Sequence, residues 1–501
     1  MCTSGSLMSL VAIGLADAVL TGTPVGTFWH FQHKSYTNFS MEVNRNSFNS
    51  GVAQFGSSPK YNVDRVGDLV YFIYIEALIP GLGLQFPKGN QAVSILKNSD
   101  GNNANAEPYW TKDVGHAMIE KAQVFIGGQC IDEVFSEFMY IWEEISGQPG
   151  KHLIEMTGNY NSQLTLQIAS RQPRVLYIPL PFWFTQNSGN ALPIVSLQFH
   201  SVQLQVYFRP LQSLLKLPWV AMNNPGNVLG AGNSYAIGDI MLRPKFVPTA
   251  STSVQPVGEL TALTSASLTA NILITYVYLD QRERSQFADG QFETLINQHQ
   301  SQSATASQTV SVLHNYGSSD VPVSLDLNFN HPVYEFYIVA RLANHNACTN
   351  NCLDAQFNEW FNFCGPDDTI TEAPIDPLVT IQLKLNNANR FPDLLEARYY
   401  RLVEPWQWHT NIVQTNCIYT YSMSLQPEDV QPAGSTNFSR IDNAKLYLVV
   451  DRRCFVGPNN PLVAPSPANP SPNSSVDLLV FVQNWNILRF KYGLGGLRFA
   501  A

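Results

Sequence analysis

Charge is what this sequence has least of. Only 13% of its 501 residues are Asp, Glu, Lys or Arg, against roughly a quarter in an average soluble protein. A surface so poor in charge is either covered by neighbouring chains or kept wet by Asn, Gln, Ser and Thr, which are plentiful here. Clustered positive charge is also missing. The net charge is −9, and no basic tail or Lys/Arg cluster occurs, which argues against direct contact with nucleic acid. Cysteine is scarce: Cys2, Cys130, Cys348, Cys352, Cys364, Cys417 and Cys454 are few and odd in number. That suits a reducing compartment better than a secreted disulfide framework. No apolar run reaches the roughly 20 residues that cross a bilayer. The apolar start, Leu7 to Leu20, is broken by Ser9, Gly14 and Asp17, and no Lys or Arg precedes Lys34. It reads as an N-terminal arm, not a signal peptide.

Helical periodicity is rare as well. Short apolar runs alternate with Gly, Pro and Asn clusters, the pattern of an all-β chain. Strands are expected over 65–79, 117–126, 197–208, 267–279, 323–339, 379–388, 441–450 and 476–490. Gly127-Gly128 closes the second of these as a hairpin-type turn. One helix is predicted over Ile131–Ile145, from apolar residues at 3-4 spacing. Glu133, Glu137, Glu143 and Glu144 would form its solvated face. The two prolines in Leu176–Phe184 keep that apolar run out of a central ladder position along its length. Exposed loops are expected over 89–107, 210–238, 344–371 and 458–472.

The order of elements repeats. Val323–Val339 takes the place of Gly67–Ile79, and Val379–Ala388 that of Glu120–Gln129. Ile441–Val450 then matches Gln198–Phe208, and Val476–Phe490 matches Ser267–Leu279. Two similar β units are implied, meeting near Gln281–Gln291. Units of this size fit two-sheet sandwiches in which two Greek keys form a jelly roll. Lectins, cupins and virus coats share that architecture, so fold alone does not decide function.

The chemistry-bearing motifs are absent. There is no nucleophile elbow, no phosphate-binding glycine loop and no His/carboxylate metal motif. Gly493–Gly496 follows the last strand with no helix behind it, so it reads as packing or tail. His30 and His33 lack a third metal ligand nearby. Cys348, Cys352, Cys364 and His345 fit no common zinc spacing. No catalytic, cofactor-binding or metal residue is therefore assigned. Glu404, Trp406 and Trp408 come nearest to a carbohydrate site, the alternative being a carbohydrate-binding or carbohydrate-cleaving β-sandwich.

The most informative stretch is Asn437–Val450. Its second half alternates as a strand: Leu446, Leu448 and Val450 share one face, and Lys445, Tyr447 and Val449 the other. Its first half is turn chemistry, with Asn437, Ser439, Asp442 and Asn443 able to bond nearby backbone. Arg440 and Asp442 stand where loop becomes strand. They form either an exposed pair of little worth or a guanidinium contact that locks the loop or a neighbouring chain. The run Gln431–Ala444 resembles the signature near the end of the major capsid proteins of nucleocytoplasmic large DNA viruses. Similar segments span nearly the whole chain: Leu20–Pro24, Tyr36–Glu42, Ile126–Asp132, Ile141-Trp142, Leu176–Phe184, Asp326–Pro332 and Asn484–Arg489.

The resemblance implies two consecutive eight-stranded jelly rolls with long inserted loops and few short helices. The expected division is an arm over 1–25, a first jelly roll over 26–283 and a second over 284–501. It further implies a structural, non-enzymatic role in the virion of a large icosahedral double-stranded DNA virus, with assembly in the host cytoplasm. Homotrimers of hexagonal outline would tile the shell beside neighbouring capsomers, minor capsid proteins and penton proteins. The N-terminal arm would lie near an internal membrane, and no cofactor is implied. Asn437, Phe438, Ser439, Arg440, Ile441, Asp442 and Asn443 are the assembly candidates. The lengths of the loops Gln212–Pro256 and Asn344–Pro377 depart from the family pattern.

Overall fold

The structure, a computed structural model, describes residues 4–26, 28–29, 33, 35–84, 109–216, 240–243, 261–262, 268–308, 319–346, 358–366, 375–391, 394–455 and 473–499. Cys2, His30, Cys348, Cys352 and the expected loops over 89–107 and 458–472 lie outside them. The chain divides by its contacts into Met1–Ser40 and Met41–Ala501. The first part carries two short helices, Ser4–Val11 and Leu15–Thr21. The backbone N–H of Gly14 caps onto the Asp17 carboxylate at 2.8 Å. Its apolar side chains stand in the open, Leu15 94% and Trp29 92% exposed. No helix among the described residues is long and apolar enough to cross a membrane.

Sixteen strands frame the chain from Phe39 onward. The first eight are β1 (Phe39–Ser47), β2 (Lys60–Asn62), β3 (Leu69–Ile79), β4 (Ile119–Ile126), β5 (Gln129–Phe135), β6 (Arg174–Pro179), β7 (Val202–Phe208) and β8 (Thr269–Leu279). The next eight are β9 (Phe292–Ser307), β10 (Val321–Asp326), β11 (Pro332–Leu342), β12 (Leu378–Leu385), β13 (Ala388–Asn389), β14 (Ile418–Ser422), β15 (Ala444–Val450) and β16 (Ser475–Lys491). Further short strands extend these sheets or form two small separate ones. In the first half the sheets run β1-β8-β3-β6 and β2-β7-β4-β5. In the second they run β9-β16-β11-β14 and β10-β15-β12-β13. Counting from one in each half, both read 1-8-3-6 facing 2-7-4-5. That doubled Greek-key order is the jelly roll, and it occurs twice.

The repeat read from the sequence needs two adjustments. The run 323–339 is not one strand. It is β10 and β11, in different sheets, separated by a turn in which His331 adopts φ 68°. The helix predicted over Ile131–Ile145 begins only at Ser136, because Gln129–Phe135 pairs with β4 as a strand. The 3-4 spacing there was the chance overlap of a period-2 strand with the helix that follows it. The turn itself is as read: Gly127 and Gly128 have φ 58° and 85°, a conformation that favours glycine. Its counterpart between β12 and β13 uses Asn386 and Asn387, φ 50° and 66°, the side chains that best tolerate that region. The charged stretch at Gln281 forms the helix Gln281–Asp289, joined to the first half by an Arg284–Asp68 ion pair at 3.0 Å.

The two halves share side chains across their seam. Successive residues of a strand point to opposite faces. On β11, Phe336, Ile338 and Ala340 enter the second sandwich's own core, whereas Tyr337 and Val339 join the core of the first half. β16 behaves alike, with Val480 and Val482 in one core and Phe481 in the other. This is why Val333–Leu342 is buried at every position. Phe138, from the helix Ser136–Ser146, is the hub of the seam. Its ring stands 5.5 Å from Tyr337 and 6.2 Å from Phe481. The glycine-rich end closes the seam from the other side. Leu494–Leu497 turns back on β16, and a Cβ on Gly495 would stand 2.5 Å from Leu197 of the first half. These glycines serve packing.

Candidate functional site

The signature turn is built onto the start of β11. Thr436 and Asn437 pair with Val333 and Pro332. Asn437 then closes an Asx turn, its Oδ1 accepting the Ser439 N–H at 3.1 Å. Phe438 donates its N–H to His331 O at 3.0 Å, and Ser439 Oγ accepts the His331 N–H at 2.8 Å. The two hydrogen bonds hold His331 in its left-handed conformation. Phe438 is buried against Phe336, with ring centroids 5.6 Å apart. Ile441 packs on the second core from its edge. Asn443 clasps the β12–β13 turn, giving its N–H to Asn386 Oδ1 and accepting the Asn386 N–H. Arg440 and Asp442 are exposed and form no ion pair with each other among the described residues.

A cavity of about 450 Å³ opens beside this turn, lined by His331, Asn437, Ser439, Arg440, Trp485 and Asn486 among others. Burial holds the His331 imidazole below its ordinary pKa, so it is neutral at pH 7. The stretch thus splits by role: Phe438 and Asn443 fix the fold, and Arg440 faces outward. Phe438→Ala is expected to destabilise the chain by about 3–5 kcal/mol. Arg440→Ala should stay within about 0.5 kcal/mol. Thermal denaturation of the two variants side by side checks this.

Charged groups missed by the sequence reading sit at the seam. Glu137 does not belong to a solvated face. It is buried, and its Oε1 accepts from Arg209 Nη2 at 3.0 Å and Arg341 Nη1 at 2.9 Å. Burial opposes ionisation here, but the two guanidinium groups outweigh it and hold the carboxyl at about 2. Both cations lie over Trp360, Arg209 at 3.8 Å and Arg341 at 5.1 Å from the ring centroid. Beside them Asp132 accepts the His299 backbone N–H at 2.9 Å. Arg209, Arg341 and Trp360 are all far from Glu137 in sequence, so no spacing could have announced them.

Three other groups bear on chemistry. Asp113, His116 and Glu143 bring their ligand atoms within 4.8 Å of one another. Such a donor set can hold either a divalent cation or an imidazolium. His116 Nδ1 lies 2.7 Å from Asp113 Oδ2 and 3.6 Å from Glu143 Oε2, an imidazole clasped by carboxylates. Burial raises the Glu143 carboxyl to about 7. His345 is buried with its Nδ1 3.2 Å from Asn362 O, apart from any such cluster among the described residues. Glu404 is buried on the helix Ala397–Trp408 and raised by burial to about 7, whereas Trp406 is 72% exposed. One faces in and the other out, so the two do not line a common sugar-binding cleft.

Comparison with known proteins points to virus capsid proteins. A model described as the major capsid protein N-terminus matches residues 27–280. A model described as the large eukaryotic DNA virus major capsid protein matches 283–496. The major capsid protein of Chrysochromulina ericina virus is 28% identical, with 99% of this chain and all of that protein covered. That of Paramecium bursaria Chlorella virus 1 is 27% identical over 99% of this chain and all of its own length. Among solved structures, PBCV-1 VP54, fitted into a reconstruction of the virophage Sputnik, superposes with a TM-score of 0.65 at 22% identity. It covers 95% of this chain and 100% of its own. The Faustovirus major capsid protein gives 0.62 at 13% identity, over 97% and 96%.

Proposed function

We propose, from the premise that this chain belongs to the large eukaryotic DNA virus major capsid protein family and forms part of the virion's capsid shell, that its working unit is a homotrimer with a hexagonal outline. The observation that carries this is the repeated strand order. Two sandwiches of one topology stand in one chain, so three chains offer six similar corners. In this reading the arm covers 1–25, the first jelly roll 26–283 and the second 284–501, with the boundary falling inside the helix Gln281–Asp289.

Trimer contacts are large and apolar in this account, as in obligate oligomers, and contacts between trimers are smaller and more polar. The low charge of the chain supports a surface largely covered in the assembly. Minor capsid and penton proteins complete the shell. The exposed apolar side chains of Ser4–Thr21 supply a contact to a minor protein or an internal membrane beneath. The outward Arg440 serves contacts between chains.

Native mass spectrometry of the purified protein tests the core of this. The expected mass is about three chains, persisting on dilution because no stable folded monomer competes. A monomer that survives at neutral pH would overturn it.

A further inference from the structure

Two thiols in the second half stand in direct contact. Cys417 Sγ lies 3.1 Å from Cys364 Sγ, about 1 Å beyond a bonded sulfur pair. Both side chains are buried, Cys364 4% and Cys417 0% exposed. Asn416 fixes their register. Its Oδ1 accepts the N–H of Phe363 and of Cys417, each at 3.0 Å, and its Nδ2 donates to Phe361 O at 2.6 Å. One side chain therefore holds both backbones. Arg401 completes the setting, with Nη1 3.5 Å from Cys417 Sγ and Nε 3.1 Å from Asp376 Oδ1. The hydrogen bond from the Cys417 thiol, helped by that guanidinium, draws Cys364 below the ordinary thiol pKa.

The segment that carries Cys364 is a strap across the seam. Asn358 Nδ2 donates to Gln212 O at 2.9 Å and Leu215 O at 2.8 Å. Trp360 Nε1 donates to Ser213 O at 2.7 Å, and Phe361 stacks on Tyr140 at 4.6 Å. All four partners belong to the first half. Cys417, by contrast, leads directly into β14 of the second.

We propose that Cys364 and Cys417 are an intrachain disulfide site, open while the chain is made under reducing conditions and closed once it meets an oxidant, welding the strap to the second sandwich. The oxidant is a low-molecular-weight disulfide such as oxidised glutathione. Local opening of the strap, or its undocked state during folding, exposes Cys364, whose thiolate attacks one of the oxidant's sulfurs and expels a glutathione thiolate. The Cys417 thiol then loses its proton, and its sulfur attacks that of Cys364, expelling the second glutathione thiolate. One disulfide is reduced to two thiols while two thiols become one disulfide, and the protons end on the leaving thiolates. Cys454 is buried on the other side of Gly365, where a Cβ would stand 3.2 Å from its sulfur. It is the internal competitor.

The test uses the full chain purified under reducing conditions, incubated with oxidised glutathione, and in parallel refolded through a glutathione redox buffer. Peptide mapping without reductant should recover a Cys364–Cys417 cross-link. The oxidised protein should melt roughly 2–4 °C higher than the reduced one, and Cys364→Ser or Cys417→Ser should each abolish that difference. The map of the unaltered chain stands even where a variant folds poorly. A cross-link of Cys364 to Cys454, glutathione adducts alone, or free thiols after refolding would each overturn the proposal. The map reads the same on monomer and trimer, so its outcome is separate from that of the assembly reading.

Discussion

Replacing Glu137 by glutamine is expected to cost the folded chain about 3–5 kcal/mol, seen as a large drop in melting temperature at pH 7. The reason is the arithmetic of the seam. One buried carboxylate is shared by two buried guanidinium groups, Arg209 and Arg341, each within 3.0 Å of the same oxygen. Glutamine keeps the shape and removes the charge, leaving two cations facing each other over Trp360. Replacing all three residues by apolar ones of similar volume should cost far less, because no charge is then left uncompensated. A Glu137→Gln variant that melts like the parent, or a triple variant that is the worse of the two, would sink this account. Since the carboxyl is held at about 2, the network should also stay ionised well into acid. Its contribution is present above the unfolded value of about 4.3 and fades only as pH falls toward 2.

The second large effect is a loss of stability toward alkaline pH, centred on His409. This imidazole is fully enclosed, with Nε2 3.2 Å from Glu335 Oε1 and Nδ1 3.1 Å from Glu428 Oε1. Tyr337 lies 6.1 Å away, and Thr410 also bonds Glu428, its N–H donating at 3.0 Å. Burial alone would lower its pKa, but the two carboxylates prevail and raise it to about 9. A raised histidine stabilises fully below its unfolded value near 6.5 and loses that contribution as pH climbs through 9. Between pH 7 and 9 the loss is about 2 kcal/mol. Glu404, raised by burial to about 7, acts in the same direction: its contribution is complete below the unfolded value and lost as pH rises through 7. Glu428 is lowered and acts in the opposite limb, losing its contribution only in acid. Melting temperature should therefore fall steadily from pH 6 to 9.5, and His409→Gln should flatten that slope. An unchanged slope in the variant would remove His409 from the explanation.

The fold was legible where side-chain period met turn chemistry. Leu446, Leu448 and Val450 face inward while Tyr447 faces out, as their alternation required. The seventh and eighth strands of each half, which match by their order in the sequence, occupy the same sheet positions. What failed was local ambiguity. Ile131–Phe135 carries apolar residues at a spacing that serves strand or helix alike, and pairing with β4 decided it. The buried charges were illegible for a different reason. Glu137 and Arg209 meet inside the first half across 72 residues of sequence, Arg341 reaches them only because the second sandwich packs on the first, and a glutamate on an amphipathic helix ordinarily faces water. In the signature, Asn437 and Ser439 do bond local backbone, and Arg440 and Asp442 are exposed, with no ion pair between them among the described residues.

Because Tyr337 and Phe481 hang from strands whose neighbouring side chains belong to the other core, no plane through the body separates one sandwich from the next without cutting a layer of packed rings. A hinge between the two sandwiches would have to part those rings, so bending in a shell built of such chains falls more easily between chains than between the sandwiches of one.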